Sequence, residues 1–87
     1  MSTYDLTVST PDGNVFCGKA VQLVLRGAEG ELAVLAGHAP LVTSVKAGIC
    51  RITLPDGDEI KASCEGGILS VSSHSAVLLS GSFRLEE

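Results

Sequence analysis

Apolar and polar positions alternate along most of the chain. Tyr4, Leu6 and Val8 fall on one side of an extended segment, with Thr3, Asp5 and Thr7 on the other. The same period of two sets Val21, Leu23 and Leu25 against Gln22, Val24 and Arg26, and Cys50, Ile52 and Leu54 against Arg51 and Thr53. It also sets Ile60 and Ala62 against Lys61 and Ser63. Successive side chains of a strand point to opposite faces, so each run predicts a strand with one face buried and the other in water. ILSVSS and SAVLLSG predict two more strands, joined near Ser73 and His74. No window of about 11 residues or more keeps a helical period.

Turn chemistry divides these runs. Asp56-Gly57, inside LPDGDE, predicts a two-residue hairpin loop, because both residues tolerate positive φ angles. Pro11-Asp12-Gly13 predicts another turn, and Gly66-Gly67 a bulge or tight link. The expected fold is all-β, a flattened antiparallel sandwich or barrel of roughly eight to ten short strands. It forms one domain over residues 1–87, without an internal repeat or linker.

Composition narrows this picture. Apolar residues make up 45% of the 87 positions, yet aromatics are only 3% and there is no Trp. The core must therefore be built from aliphatic side chains, which strands pack well. Six basic residues stand against ten acidic ones, for a net charge of -4. From Lys19 to Arg84 the basic residues read as scattered, and few aromatics are present to stack on bases, so nucleic-acid binding is not expected. Cys17, Cys50 and Cys64 form no C-x-x-C pair and have no pair of histidines nearby, which excludes a disulfide framework or a zinc site from the pattern. They are expected to pack as small apolar residues in a reducing compartment. The opening MSTYDLTVST lacks a basic start and an apolar stretch, and no apolar run reaches the about 20 residues of a spanning helix. A soluble domain without a secretory leader is the expectation.

Candidate chemistry concentrates in GELAVLAGHAPLVTSVKAG, Gly30 to Gly48, where Glu31, His38, Thr43, Ser44 and Lys46 lie close in sequence. His38 as a base or metal ligand would need converging partners, and the other histidine, His74, falls in a hairpin turn. Glu31 could pair with Asp12, Glu29 or Glu65 for acid–base work, but carboxylates beside glycines at strand ends are solvated turn residues. Ser73, His74 and Ser75 are sequence neighbours, which a strand turns to opposite faces. GAEGELAVLAG matches neither a dinucleotide-binding fingerprint nor a P-loop. No catalytic residue, cofactor or metal is therefore expected. The chemical alternative is a free-standing ligand-binding domain or hydrolase centred on His38 and Glu31.

The order of motifs resembles the epsilon subunit of bacterial and chloroplast F-type ATP synthases. YDLTVSTPDG, VFCG, GAEGELAVLAGHAPLVTSVKAGICRI, EGGILSV and AVLLSG carry the resemblance from Tyr4 to Ser82. Its specificity lies in the spacing of Gly30-Glu31-Leu32, Gly37-His38-Ala39-Pro40-Leu41, Lys46-x-Gly48 and Gly66-Gly67-Ile68. Ala36 and Ala47 stand where the family commonly has prolines. The family's two-helix C-terminal domain has no counterpart in the sequence, so the chain resembles the N-terminal β-sandwich alone. The resemblance implies a non-catalytic structural and coupling subunit that packs against the gamma subunit and rests on the polar loops of the membrane c-ring. Glu31, Gly37, His38, Ala39 and Pro40 match family positions in the partner-contact loops. It further implies a peripheral place on the cytoplasmic face of a bacterial plasma membrane, with the stromal face of a thylakoid as the alternative. Without the helices, neither tight ATP binding nor braking by helix extension is expected.

Overall fold

Each alternating run becomes a strand whose apolar side turns inward. The computed structural model describes residues 2–86, and all regular structure among them is strand. The strands are β1 (Tyr4–Thr10), β2 (Gly13–Ala20), β3 (Gln22–Gly27), β4 (Gly30–Leu35), β5 (Leu41–Val45), β6 (Gly48–Thr53), β7 (Glu59–Cys64), β8 (Gly67–Val71), β9 (Ser75–Ser80) and β10 (Phe83–Leu85). The hydrogen-bonded path runs β10-β7-β6-β3-β5-β8-β9-β1-β2, with β4 on β3. Between β3 and β5 a single residue pair, Gly27 with Val45, joins the ladder. The path therefore folds into two layers, one of β4-β3-β6-β7-β10 and one of β5-β8-β9-β1-β2. All pairs are antiparallel except β1 with β9, which run parallel from Asp5–Ser75 to Ser9–Leu79.

The core between the layers is aliphatic, as the composition requires. Leu6, Leu23, Leu25, Ile52, Leu69 and Leu78 are fully buried together with Val8, Val34 and Cys50. Leu54 and Ile60, the outermost members of their alternating runs, are half-buried against this cluster. Tyr4 reaches across it from β1, and its hydroxyl donates to the Val34 carbonyl on β4 at 2.9 Å. Burial pushes the Tyr4 pKa up from 10.0 to about 12, because the phenolate would lose water without gaining a compensating charge.

Two expectations change. The β6–β7 connection is a three-residue loop, Pro55-Asp56-Gly57, not a two-residue one. Gly57 donates its N–H to the Leu54 carbonyl at 2.9 Å, and Leu54 donates to Asp58 at 2.8 Å. Gly57 alone takes a positive φ, +95°. The two-residue register would make Pro55 a hydrogen-bonded flanking residue, and proline has no N–H to donate. Cys50 and Cys64 are buried as expected, but Cys17 is exposed on β2 opposite Thr7.

The link between the layers at Gly66-Gly67 is the tightest place in the chain. A Cβ on Gly66 would lie 2.7 Å from the Val45 carbonyl oxygen, and one on Gly67 would overlap the carbonyl of Leu79. Both glycines have positive φ, +99° and +150°. The buried Ser80 hydroxyl donates to the Gly66 carbonyl at 2.6 Å, and the Gly66 N–H donates to Cys64 Sγ at 3.3 Å. The two buried thiols shift in opposite directions: interaction with Cys64, together with burial, raises the pKa of Cys50, while interaction with Cys50 lowers that of Cys64.

Gly57→Ala, in open space, should cost about 1–2 kcal/mol for its backbone conformation alone. Gly67→Ala adds a backbone collision and should cost clearly more, as read by urea unfolding of the two variants side by side. A raised folded-state pKa means that the stabilisation from neutral Tyr4 is complete below pH 10 and lost as pH rises towards 12. Stability should therefore fall by about 2–3 kcal/mol between pH 10 and 12, and Tyr4→Phe should remove that part of the decline.

Candidate docking surface

The residues singled out in the sequence lie along one edge of the sandwich. The β3–β4 hairpin turns at Ala28-Glu29 between paired Gly27 and Gly30, and places Glu31 on the outer face opposite Arg26. After Leu35 the chain reverses through Ala36-Gly37, closed by the His38 N–H donating to the Leu35 carbonyl at 3.1 Å. Gly37 needs its φ of +81°, which favours glycine, and a Cβ there would meet nothing within 4 Å. Ala39 and Pro40 follow, fully outward, before β5 begins at Leu41. Proline at this point holds the approach to β5 extended.

Polar side chains on this edge are positioned but not combined. His38 Nδ1 donates to the Ala39 carbonyl at 2.7 Å, since a carbonyl oxygen can only accept. Its ring is half-buried. Glu31 is exposed and forms no ion pair; among the described residues only Lys19 and Asp5 do, at 2.8 Å. A hollow of about 320 Å³ opens between the Ala28-Glu29 turn, Glu31 and Leu32 of β4, and Leu41 and Thr43 of β5. Glu31 lines it, whereas Gly37, His38, Ala39 and Pro40 form the neighbouring loop outside it. No group of three or more His, Cys, Asp or Glu converges among the described residues. The arrangement offers a polar rim around a partly apolar hollow.

A second surface escaped the sequence reading. Cross-strand neighbours share a face, so the rows Val42–Ser70–Val77–Thr7–Cys17 and Ser44–Ile68–Leu79–Ser9–Asn14 run across the outside of the second layer. Neither row contains a charge. Val42 is 71% exposed, Leu79 55% and Ile68 52%. A mainly apolar hollow of about 420 Å³ lies where this face meets Pro11, Gly67 and Gly81. A signal existed in AVLLSG, where inward Ala76 and Leu78 alternate with outward Val77 and Leu79. A strand apolar on both sides calls for cover on both.

Residues 3–85 match the family model of the ATP synthase delta/epsilon chain, beta-sandwich domain. The chain belongs to this family. The epsilon-subunit resemblance and the all-β reading are thereby borne out. Two solved structures share the delta/epsilon fold. One is a cryo-EM structure of the Euglena gracilis mitochondrial ATP synthase, comprising OSCP, F1 and c-ring in rotational state 1. Its TM-score is 0.91 at 22% identity, over 98% of this chain and 54% of that one. The other is the central stalk and c-ring of the Tetrahymena thermophila mitochondrial ATP synthase, with a TM-score of 0.75 at 12% identity, over 94% of this chain and 66% of that one. At such identities the likeness is one of fold. This delta/epsilon sandwich spans about half the length of the Euglena chain.

Because Glu31 is exposed and unpaired, Glu31→Ala should change folding stability by no more than about 0.5 kcal/mol. His38→Ala gives up one hydrogen bond on a half-buried ring and should cost about 0.5–1.5 kcal/mol. Thermal unfolding of each single variant checks both figures, and a loss above these ranges would assign the edge to scaffold.

Proposed function

We propose that the chain is a central-stalk subunit of a proton-translocating F-type ATP synthase, joining the gamma subunit to the c-ring and supporting the coupling of proton flow to ATP synthesis. The two uncharged rows on the outer face of β5, β8, β9 and β1, bordered at one end by the Asp5–Lys19 ion pair, carry this reading. On a domain with net charge -4, two uncharged rows ending in an apolar hollow are the signature of a surface that a permanent partner covers. The gamma subunit takes that face. The edge formed by Glu31, Gly37, His38, Ala39 and Pro40 is small, polar at its tips and closely approachable, which fits contact with polar c-ring loops. The domain itself is assigned no catalytic step and no tight ATP binding. Its place is peripheral, through the complex, on the cytoplasmic face of a bacterial plasma membrane. Both solved structures above are mitochondrial, and fractionation of the source cells separates the two locations.

The alternative of a ligand-binding domain or hydrolase needs Glu31 and His38 to act together. His38 already donates to Ala39 and lies outside the hollow that Glu31 lines, which disfavours it.

Co-purification with the cognate gamma subunit tests the proposal. Ile68→Asp or Leu79→Asp should weaken the complex by about 2 kcal/mol or more while the domain stays folded, since a charge placed in a desolvated contact has no partner. Glu31→Ala with His38→Ala should leave the gamma complex intact and lower ATP-driven proton pumping in reconstituted membranes. Absence of a gamma complex at micromolar concentrations, with hydrolytic turnover by the isolated chain, would move the assignment to the alternative.

A further inference from the structure

Basic residues that are scattered in sequence come together on the outer face of the first layer. Lys61 on β7 pairs with Arg51 on β6, which pairs with Val24 on β3, and Arg26 occupies the next outward position of β3. Arg84 on β10 pairs with Ser63, two residues from Lys61. Adjacent strands lie about 4.8 Å apart, so the cations of β3, β6 and β7 fall within reach of one small ligand. None of the four forms an ion pair among the described residues. The expectation of dispersed positive charge therefore does not hold in three dimensions.

Arg26 is also placed. A Cβ at Gly48 would lie 2.7 Å from Arg26 Cδ and 3.2 Å from its Cγ. The stem of Arg26 thus lies across the bare backbone of Gly48 at the start of β6. There Arg26 and Arg51 line a hollow of about 200 Å³ together with Val24, Ile49 and Glu31.

We propose that Arg26 and Arg51 form a binding site for a phosphate group, with Lys61 at its margin. Guanidinium groups bind phosphate oxygens through paired N–H donors, and two of them on adjacent strands can hold one tetrahedral anion from two sides. The hollow, about 200 Å³, is smaller than the about 300–1,000 Å³ that encloses a drug-sized ligand and matches a phosphate group in size. Glu31, opposite Arg26 and lining the same hollow, opposes the anion and holds the affinity down. The site shares Glu31 with the proposed docking edge, but its test on the isolated chain does not depend on the rotor assignment.

Titration of the isotope-labelled chain with sodium phosphate, against sodium chloride at equal ionic strength, tests it by NMR. Saturating shifts are expected at the amides of residues 24–26, 31 and 49–51, in the millimolar range. Arg26→Gln and Arg51→Gln should each weaken binding about five- to tenfold, and Gly48→Ala should follow Arg26→Gln because its methyl displaces the arginine. Glu31→Gln should tighten binding by about two- to fivefold, which general charge screening would not produce. These positions are exposed or backbone-adjacent, and circular dichroism of each variant verifies the fold. A second arm uses vesicles of phosphatidic acid in phosphatidylcholine. Sedimentation that Arg51→Gln abolishes and free phosphate competes away assigns a lipid headgroup as a source; phosphate shifts without sedimentation assign the free anion. Identical responses to phosphate and chloride, or phosphate shifts unchanged in Arg26→Gln and Arg51→Gln, overturn the proposal.

Discussion

The passage of the chain between layers at Gly66-Gly67 constrains everything around it. Backbone lies against backbone there, with Val45 on one side and Leu79 on the other, so no side chain fits. Because β8 enters between β5 and β9 at this point, its register is set before its first side chain is placed. A slip by one residue would turn Leu69 outward and Ile68 into the core. The Ser80 hydroxyl and the Cys64 sulfur satisfy the polar groups that so close an approach buries. The composition of the uncharged face is thus decided by a pair of glycines beneath it.

Strand faces were legible wherever one side was apolar and the other polar. Tyr4, Leu6 and Val8, or Leu23 and Leu25, could be placed from alternation alone, and the core confirms them. What escaped was what depends on pairing at a distance. The parallel contact of β1 with β9 joins residues some 70 positions apart, and no local pattern specifies it. Arg51 and Lys61 come together only once the β6–β7 register is known, and that register follows from Pro55 lacking an N–H, a detail masked by the strong Asp-Gly signal. Cys17 looked apolar by type, yet it sits on the outward side of an edge strand. The edge around Glu31 and His38 was recognisable through motif spacing, whereas the face around Ile68 and Leu79 needed the fold, because its members come from three separate strands and β1.

Two surfaces of contrasting character follow from these layers. One is built from two uncharged rows across the middle of four strands, with ladders on both sides. The other is a rim of turns in which a single glycine geometry and one imidazole bond present a few polar atoms. Broad apolar faces give lasting association through the area removed from water, while polar rims contribute orientation at little net energy. A subunit proposed to hold one partner and brush against another requires both kinds, and they must not be interchangeable. Here they belong to different parts of the sandwich.

The single Gly27–Val45 pair between the layers has a mechanical meaning. Within each layer, rows of hydrogen bonds resist stretching and sliding; between layers, aliphatic packing resists separation but has no direction in the plane. A shear of one layer over the other is therefore opposed where the layers are tied: at that pair and the Lys46 N–H to Arg26 carbonyl bond beside it, at the Gly66-Gly67 passage with its Ser80 bond, and at the Tyr4–Val34 cross-tie. A load entering through the face of one layer and leaving through the rim of the other would be carried by these few ties and by the interlocking of the core leucines.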